Sequence, residues 1–137
     1  MSSLLLIASG MAGGLGASLI LRFVWATAAS RGQTGQWRAS NALNELLYVG
    51  SHAVIGGGIG LLFWLSWGFT ALARFSWWQQ GMAFGLANAL VFGVVPLLIV
   101  RSLLRCSNLI YWLLTSEILL TCITAGLASS WSWQKAF

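Results

Sequence analysis

The sequence has no aspartate and only two acidic residues, Glu45 and Glu117, against seven lysines and arginines. It has one histidine, His52, one proline, Pro96, and two cysteines, Cys106 and Cys122. These scarcities exclude most chemistry. With no aspartate and its single histidine inside an apolar run, no Ser-His-Asp arrangement can be assembled. A lone histidine without a CxxC or Cys/His cluster cannot build a usual zinc site, and it offers no second axial ligand for haem. The glycines of Gly13-Gly14-Leu15-Gly16 lack the preceding strand that a dinucleotide fingerprint needs. The two cysteines form no framework, one lying beside a predicted loop and the other inside a predicted span, so both read as unpaired thiols. The expectation is a chain that is not an enzyme and holds no cofactor or metal.

Charge itself is the largest deficit. Only 7% of the 137 residues are charged and 58% are hydrophobic, where a soluble domain carries about a quarter charged residues. Mean hydropathy is +0.83. Uncharged runs cover 1–21, 46–73, 75–100 and 118–134, and roughly 20 apolar residues cross about 30 Å of hydrocarbon as a helix. The reading is all-α: one integral membrane domain, 1–137, with four transmembrane helices at 4–28, 46–69, 81–100 and 109–131. The first run reads as a span and not a cleaved leader, because no positive charge precedes it and its sequence returns later inside the chain.

The net charge of +5 would suggest nucleic acid in a soluble protein. Beside membrane spans, basic residues instead set topology and meet anionic lipid, so no nucleic-acid partner is expected. Arg31, Arg38, Arg101 and Arg105 fall in the first and third connections, with Arg22 adjacent and placed to snorkel toward headgroups. Arg74 and Lys135 fall on the other side. The positive-inside rule then puts both termini outside the cytoplasm, in a bacterial inner (plasma) membrane. Ser40 and Asn41 suit the cap of the second helix, with Glu45 near its positive end. Thr70 to Gln80 reads as a linker whose Trp77-Trp78 pair fits an interfacial belt, and Pro96 falls near the end of the third span, where a kink costs least.

An internal match organises the chain. Gly10 to Trp25, written over Gly81 to Pro96 without a gap, gives seven identities in sixteen positions: Gly10/Gly81, Met11/Met82, Ala12/Ala83, Gly14/Gly85, Leu15/Leu86, Leu19/Leu90 and Val24/Val95. More weakly, Leu46-Leu47-Tyr48 aligns with Leu109-Ile110-Tyr111, and Ser51-His52 with Ser116-Glu117. The expected architecture is therefore two tandem helical hairpins, related by a pseudo-twofold along the membrane normal.

Small residues recur at every fourth position: Gly10, Gly14 and Ser18; Gly56 and Gly60; Gly81, Gly85, Ala89 and Gly93; Thr121, Ala125 and Ser129. Such stripes share one helix face and allow close packing in lipid, where no hydrophobic effect drives helices together. His52 and Glu117 sit four residues before Gly56 and Thr121, about 9 and 12 Å along their helices from the inner ends at 1.5 Å per residue. Ionisable groups at such depth should face protein or water. They are the candidate proton or ion site, with Asn88 as a third polar residue at membrane depth. Two functions follow as expectations. The first is an accessory or regulatory subunit of a larger membrane complex, acting through helix–helix association. The second is a small homo-oligomeric transporter or channel using Glu117 and His52. The partners expected are the bilayer and either other membrane subunits or further copies of the chain.

Overall fold

The computed structural model describes residues 3–30, 42–66, 74–104 and 108–136, and among these all regular structure is helical. Helix α1 spans Ser3–Ser30 and α2 spans Ala42–Leu65. The third rod is continuous but composite: α3 (Trp77–Asn88), a π-helix (Ala89–Val94) and α4 (Val95–Leu104). Helix α5 spans Asn108–Ala136. Four stretches are long and apolar enough to cross a membrane: Ser3–Val24, Glu45–Leu65, Trp77–Leu103 and Tyr111–Ala136. The expected cap residues Ser40 and Asn41, together with Arg31, Arg38, Arg105 and Cys106, lie outside the described residues.

Two local readings are corrected in the third rod. The helix starts at Trp77, so the end of the expected linker is its first turn. Gln79 Oε1 accepts the backbone N–H of Ser76 at 3.2 Å and its hydroxyl at 2.9 Å, a reciprocal cap that the Ser-x-x-Gln spacing provides. Pro96 is not near the end of the rod, which runs on to Leu104. A proline has no N–H for the carbonyl four residues back, and its ring crowds that carbonyl. The chain widens just before it: Val95 N–H bonds Leu90 O, five residues back, closing the π-helix.

The helices approach through glycine. On antiparallel α1 and α2, a Cβ added at Gly10 would lie 2.1 Å from Gly56 O, and one at Gly56 would lie 2.2 Å from Gly10 O. Gly14 meets His52 O, and Gly60 meets Leu6 O, at 2.1 Å in the same sense. No side chain fits at these four positions. Helix α5 is the hub, packing on α1, α2 and α3. Gly85 and Gly126 bring α3 onto it, Gly93 faces the Ile118 side chain, and Gly13 brings α1 onto Thr124 and Ala125. Phe84, aligned with Gly13 in the internal match, instead meets the Phe63 ring edge-on at 4.9 Å. A ring in place of a hydrogen helps hold α3 off α2, and these two helices barely touch.

Polar side chains within the apolar stretches turn back on their own helices. Ser18 bonds Leu15 O, Asn88 bonds Phe84 O, Thr121 bonds Glu117 O and Thr124 bonds Leu120 O. A medium that offers no water leaves the backbone carbonyls three and four residues back as the nearest acceptors. The outward faces carry Leu19, Phe23, Val54, Leu90, Phe92 and Leu103, all exposed. In a membrane such faces meet acyl chains or other helices.

Candidate functional site

Polar contacts between helices gather at the two ends of the bundle. At one end Ser9 Oγ donates to Ser132 Oγ at 2.7 Å, and Ser130 Oγ donates to Gln80 Oε1 at 3.1 Å. Both Gln80 and Ser130 are buried, and neither was singled out from the sequence. These neutral contacts tie α5 to α1 and to α3.

The other end holds both glutamates and the histidine, with Arg22 and Arg101. Arg22 on α1 forms an ion pair with Glu45 in the first turn of α2, so its guanidinium is engaged within the protein as well as reaching the end of its span. One turn further along α2, Tyr48 Oη donates to Glu117 Oε1 on α5 at 3.2 Å. A further turn on, His52 is buried, with its ring 4.4 Å from that of Tyr48. His52 Nδ1 lies 2.8 Å from Tyr48 O. A carbonyl can only accept, so Nδ1 donates in this contact. Positions 45, 48 and 52 share one face of α2, three and then four residues apart. Above them the seam closes on the backbone contact of Gly14 with His52 and then on the Gly10–Gly56 crossing.

His52 and Glu117 thus belong to one cluster, joined through Tyr48. Asn88 does not enter it through any contact described here, because its Nδ2 donates within α3 to Phe84 O. Of the predicted packing glycines, Gly10, Gly14, Gly56 and Gly60 line the α1–α2 seam, while Gly81, Gly85 and Gly93 face α5. Tyr48 is the member that sequence reasoning missed, although its spacing from Glu45 and His52 was available. On the far side of Glu117, Arg101 of α4 lies over the Tyr111 ring, 4.7 Å from its centroid, and bonds Asn108 Oδ1 at 2.5 Å. Among the described residues no group of three or more His, Cys, Asp or Glu side chains could hold a metal ion. No family model matches the chain, and no curated protein or solved structure matches it.

Proposed function

We propose that this protein works without chemistry of its own, as an accessory or regulatory subunit that joins a larger membrane complex by helix–helix association. The observation that carries this reading is the second half of the third rod. Past the π-helix, α4 meets the rest of the bundle sparsely, and Val95, Leu98, Ile99 and Leu103 are exposed. A helix in lipid gains little from exposing one apolar face rather than another, so a rod that leaves its own bundle is free to pack elsewhere. The reading extends to a bacterial inner membrane with both termini outside the cytoplasm. Arg22 and Arg101 at one end, against Arg74 and Lys135 at the other, support that orientation together with the basic connections.

The architecture proposed is a duplicated hairpin. Gly10 and Gly14 meet Gly56 and His52, and Gly81 and Gly85 meet Gly126 and Cys122, in the same order and sense. This register pairs His52 with Cys122 and not with Glu117, so the ionisable residues of the two halves are not counterparts under it.

The test is native mass spectrometry of the protein gently extracted from its own membrane. Copurification with larger foreign subunits at a fixed ratio supports the accessory role. A clean homo-oligomer, or a bare monomer under conditions that preserve other complexes, contradicts it.

A further inference from the structure

The charged end carries more than structure needs. Two helices can be tied at one end by a neutral pair, as Ser9 with Ser132 and Ser130 with Gln80 show at the other end of the same bundle. Tyr48 with a glutamate is a different choice, since an ionisable residue inside a membrane span is costly and its polar group needs a partner or water.

We propose that Glu117, Tyr48 and His52 form a proton-binding site that opens only toward the charged end of the bundle. The chemistry is a single balanced step: a proton from water at that end adds to the Glu117 carboxylate. An ionised carboxylate can only accept from the Tyr48 hydroxyl, which lies 3.2 Å from Glu117 Oε1. In the protonated state Glu117 gains an O–H, and the Tyr48 hydroxyl, which can also accept, keeps the contact. A charge-assisted bond between α2 and α5 becomes a neutral one of roughly half the strength. Protonation therefore loosens this end of the α2–α5 seam and leaves the far end unchanged. His52 contributes by packing its ring 4.4 Å from that of Tyr48, with Nδ1 donating to Tyr48 O.

The elements packed against α5 bring few charged or titratable groups to it among the described residues. Helix α1 offers Arg22, which is paired with Glu45 of α2. Helix α2 offers Glu45, Tyr48 and His52; α3 and the π-helix offer no titratable side chain; α4 offers Arg101, which sits over Tyr111. The site is one-ended because beyond His52 α1 closes on α2 through Gly14, Gly10 and Gly56, and the core shared with α5 that follows, Leu6, Ile59, Phe63, Cys122 and Ala125, is buried and apolar. A proton can arrive and leave by one side, which suits a sensor and not a conductor.

The proposal stands apart from the association reading, because its test needs no partner. Infrared difference spectra of the full chain in liposomes, recorded across a pH titration, report the C=O stretch of a protonated carboxylic acid. The expected result is a titrating signal, separate from those of Glu45 and the chain terminus, that disappears in Glu117→Gln and shifts in frequency in Tyr48→Phe. If Glu117→Gln fails to fold, Tyr48→Phe still decides, since it removes only a hydroxyl. A set of signals unchanged in Glu117→Gln, the absence of any titrating carboxyl signal beyond those of Glu45 and the chain terminus, or a frequency unmoved in Tyr48→Phe would each overturn the assignment.

Discussion

Where α1 crosses α2, a Cβ placed on Gly10, Gly14, Gly56 or Gly60 would come within 2.1 or 2.2 Å of a backbone oxygen. Where α3 crosses α5, the same additions stop at 2.7 Å for Gly85 and 2.6 Å for Gly126. The two hairpins use one device to different depths. In the first, glycine faces glycine and the backbones themselves touch. In the second the nearest atoms are again backbone, with Gly126 facing Gly81 and Gly85, but the spacing is slightly wider. The difference teaches where rigidity sits. The α1–α2 crossing is the tightest backbone contact by this measure, while the third rod is held by α3 and meets the bundle sparsely beyond the π-helix.

Four substitutions break or sharpen this comparison, read as unfolding free energy of the reconstituted protein in a detergent titration followed by helicity. Gly56→Ala should cost the most, about 2–3 kcal/mol, because the methyl group meets backbone on both sides and neither helix can yield locally. Gly85→Ala should cost less, about 1–2 kcal/mol, since the α3–α5 spacing leaves a few tenths of an ångström more. Equal costs at the two positions would erase the distinction between the hairpins. Tyr48→Phe removes one interhelical hydrogen bond and should cost about 0.6 kcal/mol, the average for such bonds within membranes. Gly58→Ala should lie within about 0.5 kcal/mol of wild type, because nothing stands within 4 Å of the added carbon. A large loss at Gly58 would mean that this face of α2 is covered.

Much of the fold was legible in the sequence because its main signal is local. Run length alone yields four helices where charge is absent, and the four-residue recurrence of Gly10, Gly14, Gly56, Gly60, Gly81 and Gly85 places the contact faces without knowledge of the partners. The third rod was read less well. Trp77 starts a helix that Ser76 and Gln79 cap, but an apolar-run reading gave more weight to the tryptophan pair than to the cap spacing. Pro96 announces a disturbance without saying that the rod continues past it, since the π-helix before it accommodates the missing N–H. The candidate site was half legible. His52 and Glu117 stand out as ionisable residues in apolar surroundings, whereas Tyr48, which links them, looks like an ordinary interfacial aromatic until α5 is laid beside α2. The Gln80–Ser130 contact was hidden for the same reason.

The account's central claim is that the middle of the bundle is closed, so that the protein binds partners, and a proton at one end, without passing anything through. Proton flux into liposomes that hold the purified protein, driven by a pH gradient and an opposing potassium diffusion potential, tests this directly. The account predicts flux equal to that of protein-free liposomes for wild type, Glu117→Gln and Tyr48→Phe alike. Flux above that level in wild type that Glu117→Gln abolishes would contradict it and make the protein a transporter.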